Sequence, residues 1–302
     1  GLWPVGPPAH LPTAAPEGAG ARAMKEAPSS YHFPLAAGLV AARDTARRYL
    51  LRQITVTTAW MPTVHCQCRT RALTAYFRAA TFCGEEEFYL LAIPAYMWLL
   101  DAGNAVTLVA LFVFNTYAGN WLKNLMGLPR PPYAMRPGAV GDDVPAGAKD
   151  ADYGWPSTHA MNAVSLPFYL LRCAFPIAVW DYDHPWRMGL AGAAAAAWAL
   201  SVSLSRIYLG VHSPADVQGG MMLGAVVLRL WLSAHRGLAQ WVESGVTAPG
   251  PAQLDVALWL TIGAALLILA HPVVSPRTST FLESVSAPGV SPPLPLPGGQ
   301  VR

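Results

Sequence analysis

The sequence predicts an all-α fold, a polytopic helical membrane bundle of about six apolar helices with its chemistry gathered at one end. Three observations carry that prediction. Of the 302 residues, 53% are hydrophobic and 12% charged, about half the charged share of an average soluble protein. Apolar runs recur between short polar corners, and several approach the roughly 20 residues that a bilayer asks of a helix. Nothing in the pattern asks for a sheet. The formal net charge of +3 is too small to argue for nucleic acid as a partner. Cys66, Cys68, Cys83 and Cys173 show no disulfide framework, and His65-Cys66-Gln67-Cys68 would be half of a metal site whose other half is missing.

Residues 1–35 are rich in Pro, Ala and Gly, lack periodicity and read as a disordered tail. The chain begins at Gly1, which suits a fragment or a processed form, and no signal-peptide pattern is readable there. Residues 36–84 carry Arg43, Arg47, Arg48, Arg52, Arg69, Arg71 and Arg78 among apolar residues. That suits basic amphipathic or juxtamembrane helices, and a solvated basic face is equally consistent.

A transmembrane domain is expected over 85–271. Glu85, Glu86 and Glu87 open its first apolar run, as acids favour a first helical turn. That run, Phe88 to Leu100, is short for a span and contains Pro94. Asp101 to Asn104 read as a tight turn, and Ala105 to Leu122 as a better span ending at Lys123. Residues 132–155 are polar and Pro/Gly-rich, hence a loop. Ala160 to Trp180 is the next span, interrupted by Arg172, and Asp181 to Trp186 a short turn. Met188 to Ser205 is a helix of small residues that allows close contact within a membrane. Pro214 to Leu232 and Leu254 to Ala270 complete the set, separated by the polar stretch 233–252. Residues 272–302, rich in Pro and Ser, read as a second disordered tail.

Three polar constellations stand out, and if each run spans, alternation brings them to one end of the bundle. In Ser205-Arg206-x5-His212-Ser213-Pro214-x-Asp216, Gly210 can stop the incoming helix. Ser213 is a good N-cap, with Pro214 at the first helical position. His212 then precedes a helix N-terminus, where an anion is favoured. A plain helix corner closed by a capping box fits the same residues. In Lys123-x6-Arg130-Pro131, a point charge and a bidentate fork suit a phosphate, although two cations snorkelling at an interface fit as well. In Pro156-Ser157-Thr158-His159, a titrating imidazole heads an apolar helix whose free N–H groups suit phosphate oxygens; a simple N-cap with an interfacial His is the alternative. His212 has Asp216 four residues on to fix its tautomer, whereas His159 has no acid within four residues and suits a general acid better.

Taken in order, these three constellations resemble the signature of the type 2 phosphatidic acid phosphatase superfamily, over residues 123–216. The resemblance implies that His212 is a nucleophile forming a phosphohistidine, that Asp216 orients it and that His159 protonates the leaving group. It implies that Lys123, Arg130, Arg206, Ser157 and N–H groups around Thr158 bind the phosphate, with no metal or other cofactor. Many members carry Gly where this chain has Thr158. Pro-Ser-Thr-His-Ala-Met after Tyr153-Gly154-Trp155 is similar to the sphingosine 1-phosphate and long-chain-base phosphate phosphatase branch of the endoplasmic reticulum membrane, whose site is thought to face the lumen. The partners implied are a lipid phosphate substrate and the bilayer. Phosphatidate, a polyprenyl diphosphate or glucose 6-phosphate remain alternative substrates, and a non-catalytic scaffold or transporter is the alternative class. Positive-inside counting leaves the orientation open, because the site's own cations confound it.

Overall fold

The computed structural model describes residues 37–99, 102–131, 153–174, 184–247 and 251–272, all within one compact unit, His32–Val273. Among the described residues there are nine α-helices and no strand. They are α1 (Ala37–Ala59), α2 (Met61–Cys68), α3 (Arg71–Phe82), α4 (Glu86–Leu99), α5 (Ala102–Met126), α6 (Thr158–Tyr169), α7 (Pro185–Tyr208), α8 (Pro214–Thr247) and α9 (Pro251–Leu269). A π-turn, Leu170–Ala174, continues α6.

Three of the six runs expected to span are long and apolar enough to cross a membrane: Asn104–Met126, Pro185–Tyr208 and Pro214–Gly245. The apolar part of α9, Ala257–Leu269, is shorter, and α4 is a 14-residue helix with Pro94 inside it. The run expected at 160–180 is described only to Ala174. Large side chains on these helices are exposed as a lipid-facing surface requires: Leu90, Leu91 and Trp98 on α4, Leu200 and Leu204 on α7, Met222 and Leu230 on α8, Trp259 and Leu266 on α9.

The short helix α6 is the pivot. Seven of its twelve residues are buried: Ala160, Met161, Asn162, Ala163, Ser165, Leu166 and Tyr169. Polar rungs tie it to α5, since Asn115 donates to Ser165 and Tyr169 donates to Thr107 Oγ1 at 2.7 Å. Such bonds fix register between helices where apolar packing alone is non-directional. On the other flank α8 comes close enough that a Cβ at Gly224 would lie 2.6 Å from Met161 O. Tyr89, Ile93, Leu108, Leu111, Met161, Leu166 and Val227 fill the space between α4, α5, α6 and α8.

The basic N-terminal helices pack on the bundle. Arg47 of α1 donates to Met126 O at 2.9 Å and Gly127 O at 3.4 Å, at the C-terminus of α5, where a cation is favoured. Ile54 joins Leu128 and Ala215 in a small apolar cluster beneath that corner. His65 of α2, the first residue of the half metal site His65-Cys66-Gln67-Cys68, meets Ile207 O at 2.9 Å. On α3, Phe77 packs against Tyr208 with ring centroids 4.6 Å apart and the rings tilted, and Thr74 shares a 2.9 Å hydrogen bond with the Tyr208 hydroxyl.

Several expected boundaries move. Ala102–Asn104 form the first turn of α5 rather than a connecting turn, and Pro185 and Trp186 are the first residues of α7. The polar stretch from 233 is not a loop as far as Thr247, because α8 runs through it. Polarity ends a membrane span but not a helix, and the sequence has no Pro between Pro214 and Pro249 to break it. The tails at 1–35 and beyond Pro272, most of the loop at 132–152 and the turn at 181–183 lie outside the described residues.

Candidate active site

Two glycines with left-handed backbones close the helices that deliver the site. Gly127, φ 55°, ends α5 just after Lys123, and Gly210, φ 68°, ends α7 just after Arg206. Only Gly adopts that conformation without a Cβ penalty. Past Gly210 the chain folds back, so that the N–H groups of Val211 and His212 both donate to Arg206 O, at 3.1 and 3.2 Å. His212 is thereby tethered to the end of the helix that carries Arg206.

The Ser213–Asp216 capping box forms as the spacing predicts. Asp216 N–H donates to Ser213 Oγ at 3.1 Å, and Ser213 N–H donates to Asp216 Oδ2 at 2.7 Å. The same Oδ2 lies 3.6 Å from His212 Nδ1, an ion-pair distance that is too long for a hydrogen bond. The carboxylate of Asp216 is thus committed first to the helix N-terminus and faces His212 without a hydrogen bond. Both side chains are buried, at 1% and 0% exposure.

Ser157 caps α6, with its Oγ 3.5 Å from Ala160 N. The N–H groups of Thr158 and His159 in that first turn have no acceptor among the described residues, so they remain available to an anion. The Thr158 side chain turns to α5, where its methyl packs against Gly119.

Backbone hydrogen bonds join the three segments. Gly154 N–H donates to Leu128 O at 2.8 Å, binding the stretch before α6 to the Lys123–Arg130 corner. Ser157 N–H donates to Asp216 O at 3.1 Å, binding it to the first turn of α8. The side chains converge accordingly. Arg130, Arg206, Lys123 and His159 all act electrostatically on His212, in that order of strength. Burial first, and those positive charges second, hold His212 well below its ordinary range, so its imidazole is neutral at neutral pH. Lys123 and Arg206 are themselves buried, at 4% and 8% exposure.

One residue of this cluster has no counterpart in the sequence reading. Glu85, at the corner between α3 and α4, places Oε2 3.0 Å from His159 Nε2 and Oε1 3.2 Å from Arg206 Nη1. The His159 contact falls short of an aligned hydrogen bond. Arg206 Nη1 also donates to Thr81 Oγ1 at 2.6 Å. His159 thus has an acidic neighbour after all, supplied from far away in sequence. Burial lowers the pKa of His159 and Glu85 works against that, while Arg206 and Lys123 add to the lowering. The contact with His159, opposed by burial and helped by Arg206, pulls Glu85 down to about 2. Glu86 and Glu87 are exposed, and nothing in a run of three acids says which one turns inward.

The geometry gathers a neutral buried imidazole, three cations, two unused N–H groups at a helix start and a second imidazole held by a carboxylate. Among the described residues no group of three or more His, Cys, Asp or Glu is placed to hold a metal ion. Residues 99–239, which contain all eight site residues read from the sequence, match the sequence model of the PAP2 superfamily. The chain is 26% identical over 227 residues to lipid phosphate phosphatase delta of Arabidopsis thaliana, covering 74% of this chain and 51% of that protein. It is 33% identical over 206 residues to a probable sphingosine-1-phosphate phosphatase of Dictyostelium discoideum, covering 68% and 48%. It is 34% identical over 155 residues to sphingosine-1-phosphate phosphatase 2 of Mus musculus, covering 51% and 40%. The chain spans about half the length of the curated relatives it matches.

Proposed function

From the match of residues 99–239 to the PAP2 superfamily, we propose that the protein is an integral membrane lipid phosphate phosphatase acting on sphingoid (long-chain) base 1-phosphates through a phosphohistidine. The observation that carries this reading is the convergence of Lys123, Arg130, Arg206 and His159 on a buried, neutral His212. Relatives named for sphingosine 1-phosphate support the substrate class. The resemblance of Tyr153-Gly154-Trp155-Pro156-Ser157-Thr158-His159 to that branch carries the location too: a multi-pass protein of the endoplasmic reticulum membrane.

The residues divide the work as follows. Lys123, Arg130 and Arg206 hold the phosphate oxygens, joined by Ser157 and the N–H groups of Thr158 and His159. Nδ1 of His212 faces Asp216, so Nε2 attacks phosphorus. The P–O bond to the lipid breaks, and the departing alkoxide takes a proton from His159. A water then attacks the phosphohistidine. His159, now neutral, accepts that water's proton, the P–N bond breaks, and inorganic phosphate leaves.

The test is hydrolysis of sphinganine 1-phosphate against phosphatidate by purified protein in detergent with EDTA present. Faster release of phosphate from sphinganine 1-phosphate is expected. Strict dependence on added magnesium would contradict the mechanism, and a preference for phosphatidate would move the substrate class to glycerol-based lipids.

A further inference from the structure

Glu85 lies outside the residues that match the superfamily and has no role in the steps above. Its corner is built to approach α6 closely. A Cβ at Gly84 would lie 3.0 Å from His159 Cδ2 and 2.8 Å from Val202 Cγ1, so only Gly brings the chain this near. Thr81, on the last turn of α3, donates nothing to Glu85 but receives the guanidinium that Glu85 also contacts.

The charged surroundings of His159 are mostly positive. Arg206 from α7 and Lys123 from α5 act on His159, and the neutral His212 lies near it in the α7–α8 turn. Asp216 of α8 is committed to Ser213 and faces His212. Glu85 is the acid whose carboxylate touches His159 among the described residues. A proton donor placed beside two cations is driven to give up its proton before the reaction needs it.

We infer that Glu85 is a positioning residue for the leaving-group step: its carboxylate favours the protonated imidazole of His159 and holds it by its Nε2 edge, so that the other ring nitrogen passes the proton to the departing oxygen. This rests on the phosphatase reading above. The arrangement is a carboxylate–imidazole pair working as an acid, with the carboxylate supplied by a segment outside the superfamily match.

Two readouts on the full chain test it. The first needs no turnover: titration of the histidine side chains by NMR in nanodiscs, with His159 assigned through His159→Asn. In Glu85→Gln the proton affinity of His159 should fall about tenfold or more, and Glu85→Asp should keep most of it. An unchanged titration overturns the inference. The second compares leaving groups. Glu85→Gln should lower kcat on sphinganine 1-phosphate about tenfold or more at little cost in KM, and lower it about threefold or less on para-nitrophenyl phosphate, whose phenolate departs without a proton. Equal losses on both would mark a merely structural role and overturn the inference. A wild type inactive on both substrates overturns the phosphatase reading and the leaving-group role with it, and the titration still reads whether Glu85 holds the proton of His159.

Discussion

His212 and His159 carry the same side chain and are both lowered by burial, but only His159 has a carboxylate against it among the charges that act on it. Burial and the cations Arg130, Arg206 and Lys123 keep His212 neutral, as the proposed attack on phosphorus requires, whereas Glu85 opposes the lowering of His159 by burial. His212→Ala should reduce hydrolysis about a thousandfold or more while the protein still folds, as checked by phosphate release and by size-exclusion profile in detergent. The same burial makes a stability prediction. His212 and His159 have folded pKa values below the 6.5 of an exposed imidazole, so the unfolded chain binds more protons as pH falls through 6.5. The histidines' contribution is therefore complete above that pH and is lost below it, offset in part by Asp216, which burial raises to about 6 and which takes up a proton in the folded state as pH falls. The melting temperature in detergent should fall between pH 7.5 and 5.5, and His212→Asn should flatten part of that fall; a melting temperature that rises over the interval would contradict the account. Glu85 acts in a separate window, because a carboxyl lowered from 4.5 to about 2 loses its contribution only as pH drops through that lower range. At this scale the sequence was readable where partners are close along the chain. Cap, proline and carboxylate follow His212 within four residues, and the capping box forms as read. Its second use, orienting the imidazole, is looser than expected because the cap takes the nearer carboxylate oxygen. Glu85 was not readable, because its partners lie on α6 and α7 and its two acidic neighbours look the same in sequence.

At the scale of the element, α6 and α8 decide whether the two histidines meet. They touch at backbone distance along one face, where a Cβ at Gly220 or Gly224 would run into Ser157 O or Met161 O. Gly237, farther along the same helix, has nothing within 4 Å of its Cβ direction. Gly224→Ala should destabilise the protein by about 1–3 kcal/mol and lower activity, because α8 must shift away from the helix that carries His159. Gly237→Ala should stabilise it by about 0.5–1 kcal/mol, since Ala loses less backbone entropy in a helix than Gly. Thermal unfolding of the two variants checks both signs, and equal behaviour would contradict close packing of α6 on α8. Helix existence was legible in the apolar runs, but helix ends were not. Hydropathy reports where the membrane stops, and α8 continues through Arg236 and Glu243 because those residues are ordinary helix formers. The contribution of α1 was also hidden, since Arg47 looks like a membrane-surface cation and in fact binds the carbonyls that end α5.

At the scale of the molecule, α5 and α7 run toward the site and α6 and α8 run away from it. That up-and-down order brings three segments far apart in sequence to one end of the bundle. It also predicts sidedness. His184 is the N-cap of α7 and precedes Arg206 by 22 residues, so it lies roughly 33 Å from it along the axis. Thr70 accepts from Tyr208 OH at the site end, 3.5 Å away. With the native cysteines replaced, single cysteines at positions 70 and 184 should be labelled from opposite faces of sealed vesicles by an impermeant thiol reagent. Labelling from the same face would mean that α7 does not cross. Convergence of the three constellations was foreseeable from alternation of spans alone, although only three helices among the described residues meet the length and hydropathy of a span.

The most direct test of the central claim is to trap the proposed phosphohistidine. Purified protein, without added metal, is mixed with sphinganine 1-phosphate carrying labelled phosphorus, quenched in alkali and digested. The account predicts an alkali-stable, acid-labile label on the peptide containing His212, absent from His212→Ala. Turnover without such a label, or a label that persists in His212→Ala, would contradict it.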